Sequence, residues 1–196
     1  TYLGLELIRL ASRVQLDVRN LLRPYLVNIG ERFQCSTSLS IFHDGMAIII
    51  DQFNSNDDIR VVAHIGKALP LHCAATGKAL ASHLSDEELL AILGPELEAF
   101  TEKTLVNPTM YLRDIRNSKD TGVFVDDEEY LEGVSAMAVL LPTLNNSRLA
   151  LGAQMPSGKF RLNKAELAKV MQQAKDQIMA SVGARDSKVC LPRGSD

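Results

Sequence analysis

Thr37–Phe53 reads TSLSIFHDGMAIIIDQF, and the spacing of its apolar residues decides the fold class. Thr37, Leu39 and Ile41 alternate with Ser38, Ser40 and Phe42, the period of two that sends successive side chains to opposite faces of a strand. His43-Asp44-Gly45 supplies turn residues, and Met46–Phe53 returns as a second strand, so the segment predicts a hairpin. Upstream the period is helical: Leu22, Leu26, Ile29 and Phe33 stand three and four apart and need a sheet or another helix to cover them. Pro24 in that stretch is tolerable in a first turn and costly deeper in. Tyr2–Leu10 predicts a linker helix over residues 1–12, and the abrupt start at Thr1 is expected of a piece of a longer protein.

Downstream of the hairpin, 54–58 is a polar loop, and the β-branched stretch Ile59–Ile65 predicts a third strand antiparallel to the hairpin. The small residues Cys73-Ala74-Ala75-Thr76-Gly77 open a helix that is expected to run through Leu84. Ser85 with Glu88 fits a capping box, with Gly94-Pro95 as the stop. Asn107-Pro108 starts another helix, with an N-cap residue before a proline, and that helix ends before Gly122. Gly122–Val125, Val134–Leu141 and Arg148–Met155 predict three more strands, the last two joined across Asn145-Asn146. Asn163 with Glu166 repeats the capping pattern ahead of a closing helix striped by Leu167, Val170, Met171, Ala174 and Ile178. The expected fold is α+β, with a mainly antiparallel six-stranded sheet flanked by helices. The domain is expected to cover 13–184, followed by a disordered tail over 185–196.

Composition excludes several functions. With 196 residues, 46% of them hydrophobic and 23% charged, the chain has an ordinary core and is not a disordered segment. Lys and Arg number 21 against 24 Asp and Glu, a net charge of -3, so no cationic excess exists to neutralise phosphates. Trp is absent and aromatics make up 5%, which counts against stacking of single-stranded bases. Ala47–Ile50 and Ala136–Leu141, the longest apolar runs, fall far short of the roughly 20 residues that cross a bilayer, so no membrane partner is expected and the reading is cytoplasmic. Cys35, Cys73 and Cys190 form no Cys-x-x-Cys pair; neither a disulfide framework nor a zinc knuckle is indicated, and no cofactor is expected.

Several chemical motifs fail on inspection. Gly77-Lys78 lacks the upstream glycine and the following Ser or Thr of a phosphate loop. Gly133-Val134-Ser135-Ala136-Met137 lacks the second glycine of a nucleophile elbow and reads as strand interior. The four histidines show no helical metal spacing. The run Asp126-Asp127-Glu128-Glu129 reads as a solvated loop, except that Asp126 follows strand residues and is expected to point inward. The most informative segment is Leu69–Leu80, LPLHCAATGKAL: Pro70 fixes the exit from a strand, and a helix then begins on residues too small to cover their own amides. Those amides could face a small carboxylate, or the alanines and Gly77 could simply let helix and sheet pack closely.

Leu69–Leu80, then Phe100-Thr101 with Lys103-Thr104-Leu105, then Gly122–Glu129 and Gly133-Val134 resemble, in order and spacing, the effector-binding domain of IclR-type bacterial transcriptional regulators. The similarity runs from about Tyr2 to about Gly183, and Tyr2-Leu3-Gly4 resembles the family's junction with its DNA-binding domain. The resemblance implies a GAF/profilin-like domain that binds a small organic acid. It also implies an N-terminal winged helix-turn-helix, not in this sequence, that binds operator DNA, with assembly into homodimers or homotetramers. The implied helix-start contacts fall on Ala75 and Thr76, and the strand-end acid on Asp126. A pocket cysteine of relatives that bind small keto acids falls on Ala136, and two pocket serines fall near Gln154 and Pro156.

Loss of those thiol and hydroxyl donors, with Met137, Met155 and Cys73 expected nearby, implies a pocket for a larger acid, aromatic or longer-chain, rather than glyoxylate or pyruvate. Charge compensation is expected from the amides near Ala75 and Thr76, assisted by His72 or Lys78. The expected mechanism is a population shift in domain arrangement that alters operator binding. Two other classes are open: a thiol-dependent enzyme, which requires Cys35 and Cys73 to meet, and a purely oligomerising domain, which requires a filled interior under the helix near Ala74.

Overall fold

The structure, a computed structural model, describes residues 16–57, 61–62, 64–144 and 146–189. The predicted linker helix and the junction residues lie outside the described residues. In chain order the elements are α1 (Leu16–Phe33), β1 (Ser36–His43), β2 (Met46–Phe53), β3 (Ala68–Leu69), α2 (Ala75–Ala81), α3 (Asp86–Leu93), α4 (Pro108–Thr121), β4 (Phe124–Asp127), β5 (Val134–Leu140), β6 (Leu149–Pro156) and α5 (Ser157–Val189). The strands form one six-stranded antiparallel sheet in the order β3-β2-β1-β6-β5-β4.

The hairpin closes on His43 opposite Met46, with Asp44 at φ +48° and Gly45 at φ +73°. Positive φ at both central residues is the two-residue turn whose twist matches paired strands. Period-two alternation then divides the sheet into two faces. Leu39, Ile41, Ile48, Ile50, Met137, Val139, Leu149, Leu151 and Met155 pack with α1 and α5 into one core. Ala47, Ala138 and Ala150 pack with α2, α3 and α4 into a second. A bulge sets Leu39 opposite Asp51 and Ser40 opposite Ile49, which turns Asp51 toward α1, where Arg23 donates to it at 2.7 Å and Arg19 at 3.3 Å.

Helix ends follow the local chemistry. Ser85 Oγ accepts from Glu88 N while Glu88 accepts from Ser85 N, a complete capping box. Asn107 Oδ1 accepts from Met110 N with Pro108 as the first helical residue, and Gly122 closes α4 in the left-handed region.

Four expectations need correction. The strand expected at Ile59–Ile65 is replaced at the sheet edge by Ala68–Leu69, because β2 pairs there through Ala47 and Ile48; 61–62 and 64–67 carry no strand, and 58–60 and 63 lie outside the described residues. Pro24 lies inside α1, on its exposed side, where the carbonyl it leaves without an amide partner faces water. Asn163 caps nothing: β6 runs directly into α5 at Ser157, and the Asn163 amide donates to Lys159 O inside the helix. That helix continues to Val189, into the stretch read as an aperiodic tail; 190–196 lie outside the described residues. No helix among the described residues is long and apolar enough to cross a membrane.

Candidate functional site

α2 is held closely at two points where no side chain fits, one against the Pro70–Leu71 connection and one against the sheet. A Cβ on Gly77 would lie 2.2 Å from the carbonyl oxygen of Pro70, and one on Gly152 would lie 2.6 Å from Thr76 Cγ2. Ala75 and Ala79 on the helix meet Ala138 and Ala150 on the sheet within one apolar cluster, so the backbones approach closely. Gly77 thus serves close packing, against the connection that leads from β3 into α2. This packing does not fill the interior: beside the start of α2 the curled sheet leaves a cavity of about 100 Å³. The filled interior that the purely oligomerising reading requires is not found beside the start of α2.

Five of the six residues expected at a site, Ala75, Thr76, Asp126, Ala136 and Gln154, line this one cavity. The register explains it. Asp126 pairs with Ala136 and Ala136 with Gln154, so three adjacent strands set these side chains in one row on the same face, and α2 brings Ala75 and Thr76 over them. Pro156 stands one period further along β6, opposite Val134, and is not part of the lining. Ser38, Ile49, Leu69, Ala74, Val134 and Gly152 complete the floor and walls, with the more exposed Val61, Val62, Lys67, Tyr130 and Leu131 toward the mouth.

Asp126 is buried, and one of its oxygens accepts from the backbone N–H of Glu129 at 2.8 Å and of Tyr130 at 3.2 Å. It is thus a turn acceptor and a wall of the cavity at once. Burial raises its pKa to about 7 against these two hydrogen bonds. Thr76 lines the cavity, and its Oγ1 is buried without a hydrogen-bond partner. Ser38 Oγ reaches Gln154 Oε1 at 3.5 Å, a long contact that leaves both groups capacity.

Five expected contributors sit elsewhere. Met137 and Met155 alternate with Ala136 and Gln154, so they face the α1–α5 core, and Cys73 is not among the lining residues. The cavity's apolar character comes instead from Ile49, Leu69, Leu131, Val134, Val61 and Val62. Lys78 does not compensate charge in the cavity. It is 1% exposed, and its ammonium donates to Glu129 at 2.6 Å, Asp114 at 2.9 Å and Val125 O at 3.1 Å. His72 bonds Glu98 O at 2.9 Å and meets Phe100 in a tilted ring contact, and it is not among the lining residues.

Sequence reading missed Lys67 and Tyr130, and also Glu129, which is buried beside Lys78 rather than solvated with the rest of the acidic run. The Lys67 side chain was not legible because its loop has no period, and Tyr130 because its ring is placed by the Asp126 turn. Thr101 and Thr104 hold that turn from outside, donating to Glu128 O at 2.7 Å and Glu129 O at 2.6 Å. Glu128 is half-buried between Lys103 and Arg161, and its pKa is pulled down to about 2 by the Gly133 amide and Lys103.

Cys35 packs in the α1–α5 core with its thiol pushed up to about 12 by burial, and burial with nearby carboxylates raises Cys73 as well. Neither is poised as a nucleophile at neutral pH. Ser135 is a fully buried strand residue whose hydroxyl bonds Asp127 and Ser157. No group of three or more metal-ligating side chains occurs among the described residues.

A family profile described as "Bacterial transcriptional regulator IclR C-terminal" matches residues 11–180. The chain is 30% identical over 186 residues to the HTH-type transcriptional regulator TtgV of Pseudomonas putida, covering 95% of this chain and 71% of TtgV. It spans 64%, 45% and 48% of the length of three other curated transcriptional regulators that it matches, so it corresponds to part of such proteins. The fold is that of the Thermotoga maritima IclR, with a TM-score of 0.79 at 23% identity over 91% of this chain and 74% of that one. It is also that of an IclR homolog from Microbacterium hydrocarbonoxydans complexed with 4-hydroxybenzoate, with a TM-score of 0.75 at 19% identity over 86% of this chain and 69% of that one.

Proposed function

The chain belongs to the IclR-type bacterial transcriptional regulators, as their C-terminal domain, and we propose that its cavity between α2 and the sheet binds a small organic acid that controls transcription. The observation that carries this reading is the cavity itself: largely apolar walls, a buried hydroxyl at Thr76 without a partner, and a buried carboxyl at Asp126. Apolar lining with a few convergent polar groups is the usual make-up of a small-molecule site. An aromatic or longer-chain monocarboxylate suits it better than glyoxylate or pyruvate, since the walls offer area for an apolar body and Ala136 offers no polar atom. The 4-hydroxybenzoate bound by the Microbacterium homolog supports the size class.

In this reading the domain senses and a winged helix-turn-helix outside the present sequence binds operator DNA, residues 1–12 joining the two, with 13–184 as the sensing unit. Effector binding favours one arrangement of a homodimer or homotetramer and so changes the spacing of the DNA-binding heads; a useful bias is on the order of 1–3 kcal/mol. The relatives carry names of transcriptional regulators, not of enzymes.

A thermal-shift screen of the chain against glyoxylate, pyruvate, benzoate, 4-hydroxybenzoate and phenylacetate tests the proposal. An acid present at about 100 times its Kd stabilises the fold by about 2.7 kcal/mol. The expected hit is an aromatic acid whose effect disappears in Thr76→Tyr, which fills the cavity. Saturable binding of glyoxylate with no response to aromatic acids would overturn the size class, and a hit unaffected by Thr76→Tyr would overturn the location.

A further inference from the structure

Lys67 and Tyr130 come from opposite edges of the sheet, Lys67 immediately before β3 and Tyr130 after β4, yet the Lys67 ammonium lies 5.1 Å from the centroid of the Tyr130 ring. Both line the cavity. Lys67 is the one cationic side chain in the described lining, and among the described residues it forms no ion pair. Lys67 is exposed, whereas Asp126 and Thr76 are each 4% exposed. The cavity therefore has a polarity: a cation at its mouth, an apolar middle, and a buried carboxyl with an unpartnered hydroxyl at its end.

We infer that this polarity orients the effector, with its carboxylate at the mouth against Lys67 and the Tyr130 edge, and with a hydroxyl at its far end meeting Thr76 Oγ1 and Asp126. The inference rests on the proposed function and names the ligand class more closely: a monocarboxylate with a distal hydroxyl across an apolar spacer. The reverse orientation would bring a carboxylate beside Asp126, which would then have to keep its proton to avoid burying two like charges in one enclosed space, while the nearest internal cation, Lys78, already serves two carboxylates and a carbonyl. Held at the mouth, the carboxylate keeps part of its hydration and gains a charge-assisted partner. The Tyr130 ring fixes the position of the ammonium through its face, so the cation is aimed before the ligand arrives.

Calorimetric titration of the chain with benzoate, 4-hydroxybenzoate, phenylacetate and 4-hydroxyphenylacetate, each beside its primary amide, separates the possibilities. Lys67→Met keeps the apolar stem and removes the charge, and Thr76→Val removes only the hydroxyl; both are checked for an unchanged melting profile without ligand. The expected result is that wild type prefers acid to amide by about fivefold at low salt, that Lys67→Met abolishes the preference, and that Thr76→Val weakens the hydroxylated acids while sparing the others. Acid preference that survives in Lys67→Met overturns the orientation and leaves the proposed function standing. Loss of acid preference in Thr76→Val with none in Lys67→Met shows the reversed orientation. Failure of wild type to bind any of the acids or amides overturns the proposed function together with this inference.

Discussion

Gly152 lies directly beneath Thr76: a Cβ added to the glycine would stand 2.6 Å from the threonine methyl group and 3.2 Å from Ser38 Oγ. The helix that roofs the cavity can rest on the sheet only because β6 has no side chain at this point. Gly152→Val should lift α2 or displace Thr76 and destabilise the chain by about 1–3 kcal/mol, the usual range for overpacking. Urea unfolding measures the loss. Ligand titration should show a larger loss of affinity than a surface variant of equal stability would cause.

Asp126 should make stability fall as pH rises. Its pKa stands at about 7 in the folded chain against an ordinary 3.8, so between those values the folded state holds a proton that the unfolded state has released. Stability is then greatest toward the acid end of that window and is lost as pH rises through about 7. Glu129, raised in the same direction by burial, adds to the slope. Asp126→Asn keeps an acceptor for the Glu129 and Tyr130 amides and should flatten the difference in urea midpoint between pH 5 and pH 8.

Lys78 pins α2 to both α4 and the Asp126 turn. Lys78→Met leaves Glu129 buried without its cation, and Glu129 Oε2 already lacks a partner, so a loss of about 3–5 kcal/mol is expected. Lys78→Met with Glu129→Gln should recover part of it, because the orphaned charge is then gone. A double-mutant cycle in chemical denaturation reads the coupling. Additivity of the two substitutions would show that the ion pair is not what holds the turn.

The two described thiols should be inert in the folded state. With Cys35 at about 12 and Cys73 raised as well, alkylation by iodoacetamide at pH 8 should be slow at both positions and become fast in denaturant, as mass spectrometry of the labelled peptides would reveal. Cys73→Ala should retain ligand binding. Rapid labelling of native Cys73 would reopen the thiol chemistry.

Much of the fold was legible because it rests on local rules. The hairpin, the capping box at Ser85, the Asn107-Pro108 start and the last three strands follow from alternation and from the chemistry of helix ends, which act over a few residues. The edge strand at Ala68–Leu69 was not legible: two residues carry no period, and the β-branched stretch before them is not what β2 pairs with. Nor was the start of α5, because a strand that runs straight into a helix leaves no cap to read. For the site, the resemblance of LPLHCAATGKAL and GVFVDDEE to a known family pointed to Thr76 and Asp126, which the structure brings into one cavity.

What the sequence by itself determined is the class of domain and which strand residues share a face, since backbone pleat and helical pitch are properties of the chain alone. The same alternation already separated Ala136 from Met137, although which of the two met the cavity awaited the packing of α2. Tertiary structure decided the rest. It spent Lys78 on a buried ion-pair network, took Glu129 inside with it, and carried Lys67 across to Tyr130 from the opposite edge of the sheet. Those outcomes depend on contacts between residues tens of positions apart, whose energies are set by burial and by competing partners, and no local pattern encodes them.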